Sequence, residues 1–158
     1  MEPNYLAILV AALSSFVVGF IWYNPKVFGN TWMREIGMTE ESAKKGNMAK
    51  IFGLTFVFAV MLAFFMPTMV IHQVGAAQLA GGDVTDPAFL TYMQTHGEKF
   101  RTFQHGALHG CMAALFIALP IIATNALFEQ KSFKYVAITA GYWVVVMTIM
   151  GAILCGWK

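Results

Sequence analysis

Four stretches of this chain carry no Asp, Glu, Lys or Arg: Tyr5–Tyr23, Ile51–Ile71, Gly106–Phe128 and Tyr135–Trp157. No other feature limits the fold so tightly. Each run reaches the roughly 20 residues that an α-helix needs to cross the hydrocarbon core of a bilayer. Lipid offers no partner to backbone N–H and C=O groups, so an apolar run of this length closes its hydrogen bonds internally, as a helix. Barrel strands would alternate apolar and polar residues over segments of roughly ten, and no stretch does. Only 11% of the residues are charged and 58% are hydrophobic, against roughly a quarter charged in soluble domains. A water-soluble fold of 158 residues could not hide so much apolar side chain. The expectation is an all-α integral membrane four-helix bundle, a single domain over residues 1–158, with membrane lipids around it.

The first run is expected to be retained. Only Glu2 and Pro3 precede Asn4, so there is no positive leader, and the run ends in Trp22-Tyr23-Asn24-Pro25 instead of a small-residue cleavage site. Basic residues near the spans set the orientation. Lys26, Arg34, Lys44, Lys45, Lys50, Lys131 and Lys134 fall on one side, and Lys99, Arg101 and Lys158 on the other. The richer side is read as cytoplasmic, which puts both termini and the 73–102 segment outside. The net charge of +2 has no single basic face, which excludes nucleic acid as a partner. Cys111 and Cys155 lie inside apolar runs and read as reduced, packed thiols.

Two loop helices are expected. On the cytoplasmic side Thr39 can cap a short amphipathic helix opening with Glu40 and Glu41 and stopped near Gly46. On the outer side Asp86, Pro87 and Gly97 mark the cap, first turn and end of another, whose Phe89, Leu90, Tyr92 and Met93 suit a membrane surface or a lid.

Several landmarks occur together: FIWYNPKVFGNTWM at the end of span one, GMTEESAKKGNMAKIFGL entering span two, HGAL in span three, and ATNALFEQKSFKYVAITAGYW with MGAIL around span four. This combination resembles a family of small bacterial membrane proteins catalogued as a domain of unknown function. The resemblance covers most of the chain apart from the 73–102 loop, and His109 is not one of its landmarks. It implies four spans and a bacterial inner membrane, and it names no activity.

FQHGALHGC, residues 103–111, is the first candidate site. His105 and His109 stand four apart and share a helix face, which Met112 and Phe116 continue. Gly106 and Gly110, about 100° round, form a GxxxG pair that lets another helix approach closely. A polar ring within a span is costly unless it faces the interior, pairs, or meets water. His105 is therefore expected near the outer mouth, facing inward and bonded across helices, with His109 a turn deeper. His72 and His96 fall toward the same side. Imidazole suits copper, zinc and haem iron, and Met112, Met150 and Cys155 are soft residues within the same half. No cofactor is expected outright; a haem or copper site through His105 and His109 is the alternative.

WYNPKVFGNTW supplies Trp22, Tyr23, Asn24, Pro25 and Trp32 as interface anchors and a helix stop. Tyr142 and Trp143 lie deep in span four, where their polar ends need partners such as His105, Asn125 or Thr124. Pro67 and Pro120 can free a carbonyl and kink their spans. Small-residue stripes at Ala12/Ser15/Gly19, Gly106/Gly110 and Gly141/Thr148/Gly151 suggest a homo-oligomer, since one bundle need not use all three. No Gly-rich phosphate loop, GxSxG, HExxH or intramembrane carboxylate pair occurs. The reading leans away from an enzyme, toward a small pore, a solute pocket or a scaffold for an unnamed partner. A metal- or haem-binding protein is the second class, and a membrane enzyme with an unrecognised motif the third.

Overall fold

The computed structural model describes residues 3–158, so Glu2 lies outside the described part. Among the described residues, ten α-helices and one π-helical turn follow in order. They are α1 (Tyr5–Trp22), α2 (Gly29–Ile36), α3 (Glu40–Lys44), α4 (Met48–Phe65), α5 (Pro67–Val70), α6 (His72–Leu79), α7 (Pro87–His96), α8 (Phe103–Ala113), the π turn (Ala114–Ala118), α9 (Leu119–Phe128) and α10 (Phe133–Gly156). Four helical stretches are long and apolar enough to cross a membrane: Tyr5–Trp22, Met48–Val70, Phe103–Phe128 and Phe133–Gly156.

Each span opens on a polar cap that satisfies a first-turn N–H. Asn4, Asn47, Thr102 and Ser132 accept from Ala7, Lys50, His105 and Tyr135 at 2.9, 3.0, 3.1 and 3.1 Å. The caps explain why three spans begin earlier than the uncharged runs: Lys50 and Lys134 sit in the first turns of α4 and α10, where their long stems reach back to water. Thr39 forms a capping box with Ser42 at α3, and Asp86 caps α7 with Pro87 following. Neither α2 nor α6 was expected from the sequence. Trp32 on α2 packs edge-on to Tyr23, ring centres 5.1 Å apart, and α2 ends at Gly37 with φ of 71°, a left-handed position suited to glycine.

Helix α10 is central. Its second half lies against α8, and it also packs on α1, while α4 packs chiefly on α1 and α5 reaches across to α8 and α10. The buried core is rich in small residues: Ala7, Ala11, Ala12 and Ser15 of α1, Ala59 and Ala63 of α4, and Ala113 and Ala114, alongside Val146, Met147, Met150 and Cys155 of α10. A Cβ on Gly106 would overlap the Gly151 carbonyl, and one on Gly110 would overlap the Met147 carbonyl. Backbone touches backbone there. Gly19 lies under the Tyr142 ring and Gly141 under Trp22. All three small-residue stripes are thus used between helices of one chain, which removes the packing argument for a second copy.

The two prolines behave differently. Pro67 starts α5 directly after α4, and the Val70 N–H still reaches the Met66 carbonyl at 3.1 Å, so the span continues. Pro120 follows the π turn, in which the Leu119 N–H reaches five residues back to the Ala114 carbonyl. A wider turn just ahead of a proline relieves the clash of its ring with the preceding turn.

Candidate functional site

The three-histidine seam is built from two separate elements. Ile71 leaves helical geometry (φ −120°, ψ 105°), ending the second span and starting α6 in a new direction with His72 as its first residue. Thr102 caps α8, which places His105 in its first turn and His109 one turn on. Because Gly106 and Gly110 clamp α8 onto α10, the histidine flank is turned toward α5, which packs on α8, and toward His72 at the start of α6.

The rings converge. His105 and His109 centres are 4.4 Å apart, His72 and His105 5.0 Å, and His72 and His109 5.2 Å. The Nε2 atoms of His105 and His72 are 2.9 Å apart, so one ring donates and the other accepts. One ring nitrogen from each of the three residues lies within 4.8 Å of the others, and no carboxylate or thiol belongs to the group. His105 and His109 are half-buried and His72 is exposed. The expected inward orientation of His105 is therefore corrected: it lies in a seam between helices that opens to the surface, because the glycines and not the histidines occupy the α8–α10 contact.

A roof covers one side. The Phe100 ring stacks on His105 (5.0 Å, 21° between planes) and stands edge-on to His72 at 5.6 Å. Phe100 has φ of 64°, a backbone region that costs a bulky side chain energy and persists when its surroundings hold it. Those surroundings are specific. The buried Gln73 side chain donates from Nε2 to the His96 and Lys99 carbonyls at 2.7 and 2.9 Å, while the Phe100 carbonyl accepts from Cys155 Sγ at 3.4 Å. Arg101 Nε donates to the Cys155 carbonyl at 2.9 Å, tying the segment to the end of α10. Glu98 pairs with Lys158, which holds its carboxyl below the usual range. A cavity of about 420 Å³ lies nearby, lined by Asn4, Ile8, Pro67, Ile71, Arg101 and Trp157 among others.

Other expected site residues are elsewhere. Met112 is 44% exposed, off the seam. Asn125 is exposed near the far end of span three. His96 packs on Tyr92 at 5.2 Å. Met150 and Cys155 are fully buried in the core. Tyr142 finds its partner on α1, donating to the Ser15 carbonyl at 3.1 Å, with Trp143 edge-on beside it. Trp22 is half-buried and donates from Nε1 to the Ile138 carbonyl at 3.0 Å, so it pins α1 to α10 in addition to closing the span. Asn24 accepts from the Lys26 N–H at 2.9 Å and shapes the turn with Pro25. Phe100 and Gln73 were missed, since neither carries a motif.

No curated protein and no solved structure matches this chain. Residues 6–155 match the family model described as "Protein of unknown function (DUF1761)". That match spans nearly the whole sequence, landmarks and histidine seam together, and the chain belongs to the DUF1761 family.

Proposed function

We propose that this is a non-enzymatic, multi-pass protein of the bacterial inner membrane that binds a small solute at its extracytoplasmic end. Three imidazoles from two elements meeting in one surface-open seam carry the reading. A ring buried against lipid tails without purpose would be costly, and intramembrane ionisable groups mark functional positions by default. Of pore, pocket and scaffold, the packing favours the pocket. The interface between spans is filled by alanine, methionine and valine with backbone contacts at the glycines, which leaves little room for a polar path across. The seam and the neighbouring cavity are both at the end that holds the termini, and the excess of Lys and Arg on the opposite loops supports an extracytoplasmic placement of that end.

The test uses full-length protein in right-side-out vesicles washed with EDTA and then treated with diethyl pyrocarbonate. His72, His105 and His109 should be carbethoxylated from the outer solution, while Cys placed at Lys44 or Lys131 should resist an impermeant maleimide. Three unreactive rings in the native protein, reactive only after SDS, would sink the pocket reading. Labelling at both loop positions from outside would invert the orientation and leave the pocket in place.

A further inference from the structure

We infer that the solute is a single first-row transition-metal ion, zinc or copper, held by His72, His105 and His109. The inference rests on the pocket reading and names what the pocket takes. Size comes first. Three ring nitrogens within 4.8 Å of one another, with two of them at 2.9 Å, enclose a space of atomic dimensions. An organic molecule does not fit between them. A haem does not fit either: the three histidine rings are in mutual contact and Phe100 packs on two of them, at 4.4–5.6 Å between centres, which leaves no slot for a macrocycle.

Ligand chemistry comes second. Calcium and magnesium select oxygen donors, and the cluster offers only nitrogen. Zinc and copper take neutral imidazole, with Zn–N near 2.0–2.1 Å. Tetrahedral bonds of that length place ligand nitrogens about 3.4 Å apart. The His105–His72 pair must open by about 0.5 Å, and the widest pair must close by about 1.4 Å at most, both within reach of ring rotation in an open seam. Three protein ligands leave a fourth position, which water or another small ligand fills.

Charge comes third. With no carboxylate or thiolate in the cluster, a divalent ion keeps its full charge. That would be costly at mid-span but is screened at a mouth where His72 is exposed. The surroundings also rigidify the ligands. The Thr102 hydroxyl accepts the His105 backbone N–H and fixes the start of α8, and the Phe100 ring stacks on the His105 imidazole and limits its rotation.

The experiment titrates metal-stripped full-length protein in nanodiscs with Zn²⁺ alone and with Cu²⁺ alone, read by calorimetry and elemental analysis, and with Co²⁺ read by its tetrahedral visible bands. One equivalent per chain is expected. His72→Gln, His105→Gln and His109→Gln should each lose affinity by more than the roughly 10–100-fold of an outer contact, while His96→Gln keeps wild-type affinity. If the Gln variants fail to insert, wild-type protein decides alone, since the ion that binds must protect His72, His105 and His109 from diethyl pyrocarbonate and leave His96 reactive. Wild-type protein that binds neither zinc nor copper, or a His96→Gln variant that loses as much affinity as the other three, overturns the metal. Reactive rings that neither zinc nor copper protects overturn the metal and leave the pocket standing, whereas rings unreactive in the metal-stripped protein overturn both.

Discussion

Gly106→Ala tests the contact on which the seam depends. The new methyl would overlap the Gly151 carbonyl and stand 2.5 Å from Cys155 Cβ, where carbons prefer about 3.5–4.0 Å. Relief requires α8 and α10 to separate by about 1 Å, and a gap of that size forfeits roughly a quarter to a half of the dispersion energy of the atoms concerned. Overpacking of a tight core costs about 1–3 kcal/mol. The upper end applies because the obstructing atom is backbone and cannot rotate away. Replacing a helical glycine by alanine returns about 1 kcal/mol, so the net loss is about 2 kcal/mol. Gly53→Ala is the matched control: it lies in α4 with nothing within 4 Å of the added carbon, and should be neutral or stabilising by up to about 1 kcal/mol. SDS-titrated unfolding of both variants, followed by fluorescence of the four tryptophans, separates the cases. Equal stabilisation of both would refute the backbone contact and the placement of the histidine flank that follows from it.

Three further outcomes are expected. Tyr142→Phe removes the bond to the Ser15 carbonyl and should cost about 0.6–1.7 kcal/mol in the same assay; no change would mean that the hydroxyl has another partner. Gln73→Leu removes both donations that hold the 97–102 segment but also an amide oxygen buried without a partner, so global stability should shift little while amide exchange at Lys99–Thr102 accelerates. Unchanged exchange there would exclude Gln73 as the pin. The Thr85 hydroxyl and N–H hold the Asp83 carboxyl below its usual 3.8. A depressed native value adds stability above the unfolded pKa that is lost as pH falls through the native one. Thr85→Ala should raise the Asp83 midpoint in an NMR titration, and an unmoved midpoint would assign the shift elsewhere.

The spans were legible because lipid imposes one rule on every residue of a run, and the uncharged stretches record it directly. Their starts were less so. Thr102 and Ser132 decide where helices begin by a hydrogen bond three residues ahead, and Lys50 or Lys134 in a first turn hides that start from a charge count. The His105–His109 pair was readable from spacing alone. His72 was readable as a candidate on the same side, but its approach to the pair was not, because it depends on Ile71 breaking the helix at one point, and an isoleucine at the end of an apolar run gives no such signal. Tyr142 illustrates the same limit: its need for a partner was visible, but the partner is a carbonyl 127 residues away, and a carbonyl has no sequence identity. The stripe through Met112 failed because a helix face that begins at a seam need not stay there; Phe116, one turn beyond Met112, is 74% exposed.

The central place of α10 has a consequence for biosynthesis. Half of its apolar window is buried inside the protein, against 11% for the second span, yet it is the last of the four to leave the ribosome. The first two spans can associate early through α1 and α4, but the glycine face of α8 has no surface to meet until Phe133–Gly156 has entered the bilayer. Until then the glycine face of α8 goes unpaired, which lipid permits because the helix closes its own backbone bonds. Assembly is therefore post-insertional, and a chain halted after Glu129 would present an unfilled small-residue groove to whatever monitors unfinished proteins in the membrane.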